Sequence, residues 1–210
     1  LKVNIAGVSF KNPVITASGC FGFGREYECM YPLEKLGGIS LKGMTFQEKL
    51  GNPPPRIAET PSGMLNSVGL QNPGVEHFLE HDMPYLAKQD TVKIANIAGS
   101  SIEDYCAIAE RLSESDIDMF ELNISCPNVK QGGAAFGTSC ESAERVVKEV
   151  RKYAKKPMIV KLSPNVTDIV SIAKAVEAQG ADAVSLINTL LGMRIDINTR
   201  RPILKNNVGG

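Results

Sequence analysis

The sequence has little histidine, no paired cysteine motif, no excess charge of either sign and no long apolar run. Its two histidines are His77 and His81, and its five cysteines, Cys20, Cys29, Cys106, Cys126 and Cys140, include no CxxC pair. Clusters of Cys and His at zinc-ligand spacing are missing, so no metal site is expected. The i,i+4 spacing of the two histidines would admit a metal, but they lie in a polar helical pattern and read more simply as solvated side chains. An odd cysteine count without a secretory signal argues against a disulfide scaffold and for a reducing cytoplasm. Lysine plus arginine equals aspartate plus glutamate, 23 against 23, which leaves no overall basic field to recruit nucleic acid or an anionic membrane. No apolar run approaches the roughly 18 to 20 residues needed to cross a bilayer. What remains is small-molecule chemistry or a protein partner.

What is present is the material of one core: 210 residues, 43% hydrophobic and 22% charged, read as a single domain over 1–210. The opening "LKVNIAGVSFKNP" predicts two short strands around Ala6-Gly7. Strand-like runs then follow at 13–18, 37–43, 92–97, 119–124, 157–163 and 182–188, apolar enough to be buried on both faces, as in a parallel sheet. Between them lie amphipathic helices. Ser100 with Glu103 forms an expected capping box before Ile102, Cys106, Ala109 and Leu112. Ala143, Val146, Val150 and Tyr153 form a second stripe, and Thr167 is expected to cap a third helix with Val170, Ala173 and Val176 inward and Gly180 at its end. The βαβα rhythm specifies an α/β fold. An open doubly wound sheet is one solution, but the late strands end in polar residues, as barrel strands do at an active-site mouth. The reading is a (β/α)8 TIM barrel, incomplete at the C-terminus, since eight βα units need about 250 residues. The last two strands are expected to lie outside these 210 residues.

Ser18, Lys42, Asn96, Asn123, Lys161 and Asn188 stand at the carboxyl ends of the six strand runs, which a barrel brings to one mouth. Each alone reads as a turn or capping residue. Together, two lysines and several amides suit a planar, polar, anionic ligand. Lys161 has two other readings, an ion-paired lysine at a strand end or the Schiff-base lysine of an aldolase. Two long glycine-rich connections, from Thr45 to Gly74 and from Asn123 onward, read as lids or binding loops, or else as plain surface excursions. Cys126, in "NISCPNVKQGG", is either an inert thiol or a reactive one placed over a charged pocket.

Several segments, "NPVITASGCFGFGREY" (12–27), "SLKGMT" (40–45), "LNSVGLQNPG" (65–74), "ELNISCPNVKQGG" (121–133), "VKLSPN" (160–165) and "INTLLGM" (187–193), resemble class 1 dihydroorotate dehydrogenases, FMN-containing barrel enzymes of pyrimidine biosynthesis. The resemblance covers the whole chain, and "SGCFGFGREY" is most similar to class 1B, in which a second subunit carrying FAD and a 2Fe–2S cluster passes electrons to NAD. Class 1A, using fumarate without that partner, another pyrimidine-acting flavin barrel and the lysine aldolase are the alternatives. The resemblance implies oxidation of (S)-dihydroorotate to orotate, with Cys126 as the general base and a hydride leaving for FMN. It further implies substrate contacts from Lys42, Asn66, Asn123, Asn128, Asn188 and Thr189 and from the backbone of Ser67, Val68, Gly69 and Leu70. FMN contacts are implied for Ser18, Lys42, Gly43, Asn96, Asn123, Lys161 and Ile187. It implies a heterotetramer of two catalytic and two electron-transfer subunits in the cytoplasm. The flavin phosphate site is expected in glycine-rich loops of which Gly209-Gly210 are the start. These residues alone are not expected to be a stable enzyme, because an open six-stranded sheet exposes its edges.

Overall fold

The computed structural model describes residues 1–125 and 136–210. The chain opens as predicted, with Val3–Ile5 (β1) folded back on Val8–Phe10 (β2) and Val3 opposite Phe10. Ala6 and Gly7 at the turn have φ of 50 and 85, the left-handed pair whose twist matches that of the flanking strands.

All six predicted runs are strands of one parallel sheet. They are Ile15–Thr16 (β3), Gly38–Ser40 (β4) and, after an antiparallel hairpin of Ile57–Thr60 (β5) and Gly63–Asn66 (β6), Val92–Ile97 (β7), Met119–Asn123 (β8), Met158–Lys161 (β9) and Ala183–Ser185 (β10). Their order in the sheet is β3, β4, β7, β8, β9, β10, the order of the chain with no reversal. A doubly wound sheet reverses at a switch point; this one winds in a single sense, as a barrel does, and the open-sheet alternative fails on that ground. A last small hairpin pairs Ile195–Asp196 (β11) with Arg201–Pro202 (β12).

The period-2 alternation of each strand divides the core. Ile39, Leu41, Ala95, Ile97, Phe120, Leu122, Val160 and Leu162 pack against the helices in one large apolar cluster. On the other face Phe10, Val92, Ile94, Met119 and Ile159 form a second cluster at the amino ends of the strands, with β1 and β2 packed beneath. Gly38 makes that fit possible: a Cβ there would lie 2.9 Å from Phe10 Cε1. The sheet interior is therefore apolar at its amino end, and its polar residues lie higher, toward the carboxyl ends.

Helices span Ile102–Ser113, Cys140–Arg151 and Ile169–Ala178, with a further helical segment over residues 75–86. Three helical readings need correction. The capping box is Ser101 with Asp104, not Ser100 with Glu103; Asp104 also accepts from Ser100 N. Asp168 rather than Thr167 caps the third helix, accepting from Val170 N and Ser171 N, because a carboxylate reaches both free amides at once. Of the residues expected inward, Val176 is buried and Ala173 packs partly buried against the core, but Val170 is 58% exposed, and Ile172 and Ala175 join the buried face. Tyr153 lies past the end of its helix and is half-exposed, while Val147 joins the buried stripe. Gly180 follows the third helix with φ +96, as its stop requires.

Candidate active site

Above the apolar plug the sheet interior turns polar around a residue the strand-end pattern passed over. Glu121, in the middle of β8, is 6% exposed and accepts hydrogen bonds from three other strands: from Ser40 Oγ of β4 at 2.7 Å, Asn96 Nδ2 of β7 at 2.6 Å and Ser185 Oγ of β10 at 2.8 Å. A carboxylate offers about four acceptor sites and no donor, so it ties these hydroxyls and the amide into one layer. A single acid inside "MFELNI" carries no signal distinguishing an inward residue from a solvated one; only the register, Asn96 beside Glu121 beside Ile159, does so.

The predicted residues of the first strands gather over one side of this layer. Ser18 donates to Leu41 O at 2.7 Å and Lys42 N donates to Gly22 O at 2.9 Å, which holds the loop after β3 against the end of β4. Lys42 Nζ lies 4.0 Å from where a Cβ on Gly19 would be. Gly43 faces Asn96: a Cβ there would lie 2.8 Å from Asn96 Oδ1 and 3.2 Å from Leu70 Cδ2. Asn96 is 1% exposed, and its Oδ1 is buried with no hydrogen-bond partner among the described residues. Burial pulls the Lys42 ammonium below the usual lysine value, with the charge of Arg56 acting the same way and Cys20 opposing.

On the other side, Asn123 and Lys161 stand side by side in register, as do Lys161 and Ser185. Asn123 Oδ1 accepts from Asn188 Nδ2 at 3.1 Å and from Ser125 N at 3.2 Å. Asn188 is held by its own N–H to Leu162 O, and its Oδ1 accepts from Thr189 N at 2.8 Å. Ile187 is 46% exposed beside them. Among the described residues neither Lys42 nor Lys161 forms an ion pair, although seven pairs occur elsewhere. The ion-paired reading of Lys161 is therefore corrected.

The long 45–74 connection is built rather than loose. Its centre is the β5–β6 hairpin, and its return strand is clamped by two asparagines that the strand-end pattern did not single out. Asn52 N and Nδ2 donate to Val68 O and Ser67 O, and buried Asn72 bonds to Thr45, Leu70 O and Gly74 N. Gly69 has φ +77 and a Cβ on it would lie 2.7 Å from Asn52, so glycine is required there. The clamp sets Leu70 over Gly43. Asn66 pairs through its backbone with Gly210, Oδ1 accepts from Val68 N at 3.4 Å, and a Cβ on Gly210 would strike Thr189. The segment from Asn66 to Leu70 thus runs from Gly210, which lies against Thr189, to Gly43, which Leu70 borders. Cys126 and Asn128 lie outside the described residues.

A family model described as dihydroorotate dehydrogenase matches residues 1–210. The chain is 61% identical over 210 residues to a protein of Alkaliphilus metalliredigens named dihydroorotate dehydrogenase B (NAD(+)), catalytic subunit, covering 100% of this chain and 70% of the relative. A protein of the same name from Alkaliphilus oremlandii is also 61% identical, with 70% of its length covered, and one from Listeria welshimeri is 58% identical over 211 residues, with 69% covered. With a family match over its whole length and an unreversed parallel β/α sheet to house the site, the chain belongs to the dihydroorotate dehydrogenase family.

Proposed function

We propose that this chain is the FMN-bearing catalytic subunit of an NAD-linked dihydroorotate dehydrogenase, oxidising (S)-dihydroorotate to orotate in pyrimidine biosynthesis. The observation that carries the reading is the pair of lysines, Lys42 and Lys161, at the ends of two strands of one mouth, without a carboxylate partner among the described residues and flanked by Asn96, Asn123 and Asn188. Two unneutralised ammonium groups among amides form a site for a planar anion.

The residues present fit a flavin. Asn96 Oδ1 is a buried acceptor with no partner among the described residues, and the space before Gly43 is one that a Cβ would fill. Ser18, Lys42, Gly43, Asn96, Asn123, Lys161 and Ile187 would hold it. FMN, when bound, supplies the hydride acceptor that side chains cannot.

The chain's own residues do the rest. Cys126 removes the proton from C5 of dihydroorotate, on the face opposite the departing hydride. Asn66, Asn123, Asn128, Asn188 and Thr189 hold the ring edge and carboxylate, and the backbone from Ser67 to Leu70 walls the pocket. Fixing both leaving directions on one ring is catalysis by orientation. Lys42 meets the substrate's negative charge, and Lys161 favours the more negative, reduced state of the group it faces. The Asn123–Asn188 bond of 3.1 Å sets two of these amides before any ligand arrives.

Electrons pass on to NAD through a partner subunit bearing FAD and a 2Fe–2S cluster, two of each subunit forming a heterotetramer in the cytoplasm. The names of the relatives, each called an NAD(+) catalytic subunit, support the NAD link and the existence of a partner subunit. No helix among the described residues is long and apolar enough to cross a membrane. The test is purification of the full-length chain with and without its neighbours. The reading requires a yellow protein that brings down an iron–sulfur flavoprotein and reduces NAD with dihydroorotate. A homodimer active with fumarate, or a colourless protein trapped by borohydride on a carbonyl substrate, would replace it.

A further inference from the structure

We infer that Glu121 is a positioning residue: it fixes the Asn96 carboxamide with its NH2 turned inward and its oxygen turned toward Gly43, as the acceptor for an imide N–H of a bound pyrimidine ring. The inference rests on the flavin and pyrimidine reading of the mouth. Three observations carry it. Glu121 accepts from Ser40, Asn96 and Ser185 and donates nothing, so only the NH2 end of Asn96 can face it, at 2.6 Å. The other end of that amide, Oδ1, is buried and has no hydrogen-bond partner among the described residues. Gly43 and the clamped Leu70 border that oxygen, and a side chain on Gly43 would close the space.

An unpaired buried carbonyl oxygen is unfavourable, and folded proteins rarely keep one without a purpose. If residue 121 were apolar, the Asn96 amide would be free to turn and present a donor instead. Glu121 removes that choice. An acceptor held in this way selects a ligand with a donor between its own carbonyls. The isoalloxazine ring of a flavin carries such an N–H, and so do dihydroorotate and orotate; the shared chemistry is the imide. Neither strand-end logic nor the family resemblance assigned Glu121 a role.

The test uses the full-length chain with Glu121→Gln, Glu121→Met, Asn96→Ala and the double variant Glu121→Met with Asn96→Ala. FMN affinity is read from quenching of flavin fluorescence, and orotate affinity from the absorbance change of the FMN-loaded protein. Glutamine can place its oxygen where Ser40 and Asn96 donate and its NH2 toward the Ser185 hydroxyl, so Glu121→Gln should stay within about twofold of the parent chain, while Glu121→Met should loosen the ligand about tenfold. In the Asn96→Ala background the methionine change should add nothing further, because Glu121 acts through that amide. Loosening in the FMN arm identifies the flavin as the donor, and loosening in the orotate arm alone identifies the substrate. The inference is overturned if Glu121→Gln weakens binding as much as Glu121→Met, if Glu121→Met changes neither arm, or if its effect persists in full beside Asn96→Ala. Should Glu121→Met fail to fold, a loss of affinity in Glu121→Gln still overturns it, and retained affinity there with a loss in Asn96→Ala supports it. A parent chain that takes up no FMN would refute the flavin reading itself, a result distinct from all of these.

Discussion

Gly43→Ala tests the close approach between β4 and β7 in quantitative terms. The backbone at Gly43 lies outside the left-handed region, so only space opposes the new methyl group. That methyl would lie 2.8 Å from Asn96 Oδ1 and 3.2 Å from Leu70 Cδ2. Leu70 can yield by swinging a terminal methyl, at little cost. Asn96 cannot yield freely, because its Nδ2 is tied to Glu121 at 2.6 Å in a site that is 1% exposed. Twisting the amide off its rotamer costs about 0.5–1.5 kcal/mol, and breaking its bond to the carboxylate costs about 1.5–3 kcal/mol. The cheaper route dominates, giving an expected loss of about 0.5–1.5 kcal/mol, or roughly 2- to 13-fold in FMN affinity. The affinity is measured by fluorescence titration of the apoprotein and accompanied by a thermal melt without flavin. A variant with the parent FMN affinity and an unchanged melt would refute the claim that Asn96 is held in place.

Lys42 predicts a proton linkage. Burial lowers its value in the free protein, and an anion seated against the ammonium raises it again, so binding takes up a proton between the two values. Orotate affinity should fall as pH rises toward the ordinary lysine value of 10.5, and near that pH the heat of binding should vary with the ionisation enthalpy of the buffer. Heat independent of buffer would remove Lys42 from the site. Cys126→Ser should keep its FMN yet slow flavin reduction by dihydroorotate at neutral pH by at least about 100-fold, the size of a lost general base. Near-parent reduction rates in stopped flow would take the base role from Cys126.

The central strands β4, β7, β8 and β9 were legible because they are largely buried on both faces and read as apolar runs, while β10, with Val184 41% exposed, was marked by its apolar run alone. Strand order was legible only indirectly, through the polar ends of the late strands, since nothing local distinguishes a sheet that reverses from one that winds on; the parallel pairing of β9 with β10 beyond β8 bears the barrel reading out. Helix starts slipped by one residue where two capping residues adjoin, Ser100 with Ser101 and Thr167 with Asp168; Ser101 prevails through its reciprocal capping box with Asp104, and Asp168 by accepting from two free amides. The β5–β6 hairpin was masked by the three prolines before it. At the site, residues at strand ends were visible as polar breaks in apolar runs. Glu121, Asn52 and Asn72 were not, because their importance lies in partners 15 to 81 residues away. The mouth was legible, and the layer that shapes it was not.

The most direct measurement is anaerobic addition of dihydroorotate to the FMN-loaded, full-length chain, following the flavin absorbance together with orotate formation. The account predicts that the flavin bleaches with one orotate formed for each flavin reduced. A flavin that stays oxidised in the presence of saturating dihydroorotate would contradict it.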